Sequence, residues 1–156
     1  MSLALPVSTW VQNALTEIFN ATIQTAFDHA FDACFSQDVT VVRNDANVAR
    51  DEYKKALKDL KFPQQTANVK FSGSVSSRDE PSHGPLETGM VGGFFEAQLR
   101  QGEPGGRPWQ LNILTTSFIA DVDNDASVIP NPPVTDFDAR RISKFTIVDN
   151  VRVIPF

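Results

Sequence analysis

The spacing of apolar residues in this sequence changes once, close to Pro63. Before that point apolar side chains recur every three or four residues, as at Leu15 and Ile18, which is the period of an amphipathic helix. After it they alternate with polar ones, as at Val69 and Phe71, which is the period of a half-buried strand. Helices followed by strands predict an α+β fold, with three N-terminal helices packed against one face of a strongly curved, mostly antiparallel sheet.

The first helical segment is predicted to break at 20–22. The stripe containing Val11 and Leu15 lies nearly opposite the stripe containing Phe27 and Phe31 when residues are placed about 100° apart. One straight helix could not bury both stripes on the same side, so we expect two helices here. A third helix is expected to begin at 49–52.

Strands are predicted on both sides of the third helix. They cover 39–42, 69–75, 86–100, 109–122 and 141–148, and 151–156 either continues the last strand or pairs with it. A turn is predicted at 44–47, and loops rich in Gly, Pro, Asp or Asn at 76–85, 101–108 and 123–133. The Gly92-Gly93 pair predicts a bulge or bend that curves its strand.

Bulk composition restricts the class of protein. A chain of 156 residues with 41% apolar residues suits a single domain spanning 1–156. The net charge of −5 argues against a nucleic-acid surface, which needs clustered Lys and Arg. No apolar run is long enough for a membrane helix, and no signal peptide is evident, so we expect a cytoplasmic protein.

One segment resembles a known family. It runs through Phe31–Val41, Arg43-Asn44 and Arg50–Leu60: an amphipathic helix ending in a Phe pair, an acidic turn, a strand, an Asn turn and a helix opening with Arg-Asp-Glu. This order is similar to that of the nuclear-transport-factor-2-like superfamily, close to its SnoaL-like and ketosteroid-isomerase-like members. The resemblance implies a cystatin-like cone with an apolar pocket open at one end, and dimerisation through the outer sheet face is common among such proteins.

Two predicted strands are apolar on both faces. Strand 86–100 carries Val91 and Phe95 on one face and Met90 and Phe94 on the other. Antiparallel sheets with one wet face usually alternate cleanly between apolar and polar residues. We therefore favour a homodimer through the outer face over coverage by the chain's own loops.

A ligand pocket inside the cone is the next expectation. The predicted lining residues are Phe31, Phe35, Tyr53, Phe95, Ile113, Thr115 and Ser117. Asp121 shares a strand face with Ile113, so it would point inward if Ile113 does, and it is the candidate catalytic base. Each of these polar residues has an ordinary structural alternative, such as a strand-end carboxylate for Asp121.

The sequence leaves two functions open. It contains no nucleotide, hydrolase or metalloprotease motif, and its two histidines, His29 and His83, do not suggest a metal site, so we expect no metal or cofactor. His29 is predicted to face away from the core. One hypothesis is an isomerase, dehydratase or cyclase of a small apolar metabolite; the other is a non-catalytic dimeric binding or interaction module whose aromatic residues fill the cone.

Overall fold

The computed structural model of the protein describes residues 5–62, 64–79, 86–102, 108–129 and 137–155, without the side chains at 64–66, 102, 108 and 109. The helices are α1 (Val7–Asn20), α2 (Gln24–Cys34) and α3 (Arg50–Lys61). The strands are β1 (Phe35–Arg43), β2 (Ala46–Val48), β3 (Gln64–Arg78), β4 (Gly89–Gly102), β5 (Pro108–Asn124) and β6 (Arg140–Pro155). The predicted α+β fold class is confirmed.

The predicted break between the first two helices is confirmed. The α1 helix ends where the Ala21 N–H donates to the Glu17 carbonyl, and Ile23 is extended before α2 begins. Each helix then buries its own stripe, with Leu15 in α1 and Phe27 in α2 among the buried residues. The chain changes direction between the two helices, and both apolar stripes can therefore pack into the same core.

The strands form one open, curved sheet in the order β2-β1-β6-β5-β4-β3. The β1–β6 pair is parallel, and all other pairs are antiparallel. The β6 strand is continuous through Asp149-Asn150, so the segment after 150 continues the last strand instead of pairing back on it.

Several predicted boundaries differ from the structure. Only Asn44 and Asp45 form the predicted turn, both with positive φ, because residues 46–48 pair with β1 as the short strand β2. The β3 and β5 strands extend to Arg78 and Asn124, inside segments predicted as loops. Three of the ranges predicted to contain loops, 80–85, 103–107 and 130–136, lie outside the described residues. The first of them contains His83.

A bulge lies in β3, whereas β4 pairs regularly with β5 through Gly92-Gly93, where a bulge or bend was predicted. Successive β3 partners jump from Phe71 opposite Phe95 to Ser74 opposite Gly93, so the extra residue falls at Ser72-Gly73. Gly73 has φ +78°, a left-handed conformation that glycine adopts without a Cβ clash. The bulge changes the alternation, and Val75 therefore faces away from Phe71's side of the sheet.

The sheet has two distinct faces. The inner face, toward the helices, carries the buried residues Val91, Phe95, Ala97 and Leu99 of β4 and Leu114, Phe118, Ala120 and Val122 of β5. The alternate residues of both strands form the outer face. Because the helices cover only the inner face, the core lies entirely between them and the curved sheet.

Candidate functional site

Four of the predicted pocket residues meet inside the cone. Phe31, Phe35, Tyr53 and Phe95 are all buried. The rings of Phe31 and Phe35 lie 4.7 Å apart between centroids, and Tyr53 stands edge-on to Phe35 at 6.0 Å. These side chains face the interior and pack on one another there, and their role as the lining of a ligand pocket stays a prediction.

The aromatic packing continues across the whole cone. Neighbouring ring centroids lie 4.7 to 6.4 Å apart along a connected series. The series runs through Phe62, Phe27, Phe31, Phe35, Tyr53, Phe145, Phe118, Phe95, Phe71 and Phe19. These spacings are those of directly packed aromatic pairs. Side chains of the protein itself therefore occupy the interior along this path.

The four candidate residues of β5 point the other way. Ile113, Thr115, Ser117 and Asp121 alternate with the buried Leu114, Thr116, Phe118 and Ala120, and they lie on the outer face. The expected inward direction is therefore wrong for all four. Both faces of β5 carry apolar residues, so alternation alone does not show which face meets the helices.

The position of Asp121 removes it from the interior. It lies on the outer face between Met90 of β4 and Lys144 of β6. Asp121 is half-buried near the end of β5, on the face of the sheet opposite the aromatic interior. Ile113, on the same face, is only 7% exposed beside Gln98 and Arg152.

A different carboxylate lies on the inner face. Asp149 of β6 pairs with Thr116 of β5, and its side chain is 4% exposed. Arg43 Nε donates to both of its oxygens, at 3.1 and 3.0 Å, and Asn44 Nδ2 donates to Oδ1 at 3.0 Å. Charge pairing and hydrogen bonds together hold this carboxylate in a fixed position.

Tyr53 lies near this ionic group. Burial raises the pKa of the Tyr53 hydroxyl above its ordinary range, the charge of Asp149 raises it further, and Arg43 opposes the shift. The phenol is therefore a neutral hydrogen-bonding group at physiological pH. A neutral phenol near a fixed carboxylate can bind and orient a polar atom of a ligand. The ion pair with Arg43 neutralises the charge of the carboxylate.

The sequence reasoning missed Asp149 because its neighbours are distant in the chain. Arg43 and Asn44 reach it only because β1 pairs in parallel with β6, with Arg43 opposite Ile147. A local signal did exist. The Arg43-Asn44 dipeptide ends a strand, and Asp149-Asn150 interrupts a mostly apolar run, where a buried polar side chain needs a hydrogen-bond partner.

Three surface clefts are lined by described residues. Two adjoining clefts of about 500 and 250 Å³ lie between α1 and α2 and share Glu17, Ala30 and Ala33. The first also includes His29, which is exposed as predicted. The third, of about 190 Å³, is lined by β-strand residues such as Asp38 and Asp123 near the start of β6.

Two further properties concern ligands and membranes. Within the described ranges, no group of three or more His, Cys, Asp or Glu side chains is arranged to hold a metal ion. None of the described helices combines the length and apolar character needed to cross a bilayer. Cys34 is buried in the core, and burial raises the pKa of its thiol, so it does not act as a thiolate at neutral pH.

Comparisons with known proteins give structural matches only. No protein-family model matches the chain, and no curated protein matches it. The beta subunit of benzoate 1,2-dioxygenase from Burkholderia mallei matches with a TM-score of 0.57 at 10% identity, covering 95% of this chain and 93% of that one. IdmH from Streptomyces antibioticus, a candidate polyketide cyclase, matches with a TM-score of 0.55 at 11% identity, covering 92% and 91%.

A third match agrees with these two. A candidate scytalone dehydratase from Novosphingobium aromaticivorans has a TM-score of 0.52 at 14% identity, covering 96% of this chain and 90% of that one. At such identities the likeness concerns the fold, because one fold can host many unrelated activities. Helix order, sheet order and structural matches agree: the chain adopts the cone fold of the nuclear-transport-factor-2-like superfamily.

Proposed function

We propose that this chain is a cytosolic, non-catalytic interaction module that forms a homodimer through the outer face of its sheet. One observation carries the proposal: five large apolar side chains on that face are exposed. They are Val75, Met90, Phe94, Ile119 and Val148, and they are between 41% and 79% exposed. Exposed apolar clusters of this kind mark interaction surfaces in soluble proteins.

The strand register makes these side chains one patch. Val75 and Ile119 both lie opposite Gly92, which leaves a shallow gap between them. Phe94 and Val148 both lie opposite Ser117, one row further along the strands. An apolar patch that crosses four strands can pack against the same patch of a second copy about a two-fold axis, the arrangement of a symmetric dimer interface.

The interior supports a non-catalytic role. The aromatic series packs through the cone, and Asp149 has both oxygens engaged by Arg43. A general base needs a bound substrate within hydrogen-bond reach, and packed side chains occupy the interior along the aromatic series. The fold is compatible with a role in an assembly, since one matched chain is the beta subunit of benzoate 1,2-dioxygenase.

The oligomeric state tests the dimer. Ile119→Asp introduces a charge in the centre of the patch, and we expect it to raise the dimer dissociation constant by about 30-fold. Sedimentation equilibrium at micromolar concentration gives this constant directly. Ile23→Asp is the matched control, because Ile23 is 61% exposed but precedes α2 on the helical side.

Two results would contradict the proposal. A wild-type chain that sediments as a monomer up to about 100 μM would show that the patch does not bind a second copy. Specific interfaces of standard size bind far more tightly than that. Equal dissociation constants for wild type and Ile119→Asp would place the dimer contact elsewhere.

A second candidate function rests on the inward carboxylate. We infer that, if the cone accepts a small apolar molecule, Asp149 and Tyr53 are the residues that contact its polar atom. Native mass spectrometry of freshly purified protein tests this by a bound mass of a few hundred daltons, the size that such pockets hold. Loss of that mass in Asp149→Asn supports the pocket function, whereas a wild-type spectrum of the bare chain opposes it.

A further inference from the structure

The β6 strand has an open edge over its last part. The β1 strand pairs with β6 only as far as Arg43 opposite Ile147. From Val148 to Pro155, β6 pairs with β5 on one side, and no other described strand pairs with it on the other. Val151 and Val153 are both exposed there, Val153 by 54%.

Hydrogen bonds around Asn44 show which backbone groups face the open edge. The Ile147 carbonyl accepts from the Asn44 N–H at 2.9 Å, and the Asp149 N–H donates to Asn44 Oδ1 at 2.9 Å. These groups therefore point away from β5. Because successive residues of a strand alternate in direction, the N–H and C=O groups of Val151 and Val153 also point to the open edge.

The part of this open edge that can pair with another strand is limited at both ends. On one side the Asn44 side chain already accepts the Asp149 N–H, so only the Asp149 carbonyl remains available. On the other side Pro155 has no N–H to donate. The available groups thus extend from the Asp149 carbonyl to Val153, and Val151 lies at the centre of this window.

We propose that β6 of a second copy of this chain pairs antiparallel with this edge, about a two-fold axis at Val151. Val151 then exchanges two hydrogen bonds with the partner's Val151, and each Val153 N–H donates to the opposite Asp149 carbonyl. Every available N–H in the window gains an acceptor. Unprotected edges of this kind are templates for pairing with another chain.

Side-chain chemistry selects this register. With the axis at Val151, Asn150 lies opposite the partner's Arg152, and the two valines pack on each other. Moving the axis by one residue toward the C-terminus places the two Arg152 guanidinium groups directly opposite, which is unfavourable. Moving it the other way requires the Asp149 N–H, which Asn44 already holds.

This contact is independent of the outer-face dimer. The edge lies in the plane of the sheet, whereas the apolar patch lies on its outer face, so one molecule can make both contacts. Two different two-fold contacts on one chain build a closed tetramer or an extended assembly. Ile119→Asp therefore weakens the outer-face contact and leaves the edge contact in place, which separates the failure of one proposal from the failure of the other.

Disulfide cross-linking tests the register. The Cα atoms of a hydrogen-bonded antiparallel pair lie about 5.5 Å apart, within the range of a disulfide. Under mild oxidation we expect Val151→Cys to form covalent dimers about ten-fold faster than Val153→Cys, whose two copies would lie about 13 Å apart. Val153→Cys is the matched control, because it is on the same edge and more exposed, and the native Cys34 is buried.

A backbone variant completes the test. Val151→Pro removes a donor that faces none of the described strands of its own chain, and we expect it to abolish heterodisulfide formation between Asn150→Cys and Arg152→Cys molecules. Val151→Thr keeps the donor and should retain that disulfide. Equal cross-linking of Val151→Cys and Val153→Cys, no cross-linking of either, or an edge that binds only an unrelated extended peptide would overturn the proposal.

Discussion

Lys61 places an ammonium group in the stripe by which α3 packs on the core. Tyr53 and Leu57 precede it at four-residue intervals, and Lys61 is only 4% exposed. Burial lowers the pKa of Lys61 below its ordinary value of 10.5. The charged side chain is thus less favourable in the folded protein than in the unfolded chain.

Replacing that charge should stabilise the protein. We expect Lys61→Met to raise the free energy of unfolding at pH 7 by about 1 kcal/mol, because the apolar stem remains and the ammonium is removed. Urea denaturation measures the change, with Lys55→Met as the control, since that side chain is 76% exposed on the same helix. The ammonium also lies over the Phe62 ring, 5.4 Å from its centroid, so a less stable Lys61→Met would show that this contact outweighs the cost of burial.

The pH dependence of this effect has a definite sign. Between the lowered pKa of Lys61 and 10.5 the unfolded chain binds more protons than the folded one, so wild-type stability rises with pH there. The advantage of Lys61→Met should shrink over that interval. An advantage that stays constant to pH 10.5 would contradict the role of the charge.

Of the four glycines in the described parts of β3 and β4 up to Gly93, Gly89 is the one whose replacement should cost most stability. Its φ is +141°, and a Cβ there would overlap the Ser77 carbonyl. We expect Gly89→Ala to lower the free energy of unfolding by about 3 kcal/mol. Gly92→Ala, in the same strand with ordinary backbone geometry and only ordinary van der Waals contacts around its Cβ, should change it by less than about 1 kcal/mol. Urea denaturation measures both variants. If both lose a similar free energy of unfolding, a general effect of the substitution on the strand is the cause, and the backbone conformation of Gly89 is not.

At the scale of elements, α2 and α3 are joined by an ion network. Lys58 contacts Asp28 at 2.6 Å, and Lys54 and Arg50 contact Asp32 at 3.2 and 2.9 Å. The hydrogen bond from Lys58 holds the pKa of Asp28 below 3.8. Burial raises the pKa of Asp32, but hydrogen bonds from Arg50 and Lys54 outweigh it and lower the net value.

Both lowered pKa values predict a loss of stability in acid. The network contributes fully above about pH 4 and is lost as pH falls through the lowered folded values. We expect the double variant Asp28→Asn, Asp32→Asn to be about 1 kcal/mol less stable than wild type at pH 7, a small value because both side chains are partly exposed. Urea titrations should show this difference vanishing near pH 2, and shrinking at high salt.

The positions of the helices and strands were largely predictable from the sequence. Which face of a strand packs against the helices was not. The helix break follows from the phases of Leu15 and Phe27, which are local properties. Which face of β5 meets the helices depends on whether Ile119 or Phe118 packs better on distant elements, and both are apolar. Asp149 was missed for the same reason, because its partner Arg43 lies 106 residues away in the chain.

At the scale of the whole molecule, dimerisation couples stability to concentration. If two chains unfold from one dimer, a hundred-fold increase in protein concentration should raise the melting temperature by about 4 °C. Differential scanning calorimetry of wild type at several concentrations measures this slope. Ile119→Asp should give a smaller slope than wild type, because its weaker outer-face contact holds fewer molecules in dimers at each concentration, and a flat wild-type curve would argue for a monomer.

The bulge at Ser72-Gly73 also determines where the chain tolerates a change of length. Because the bulge holds one residue more than its partner strand, deleting Gly73 restores regular pairing and leaves Phe71 inward and Val75 outward. Deleting a residue at Val69 instead exchanges the faces of the residues between it and the nearest end of the strand. Length variation among natural variants of this chain should therefore concentrate at the bulge, where evolution can alter the curvature of the sheet without rebuilding either of its surfaces.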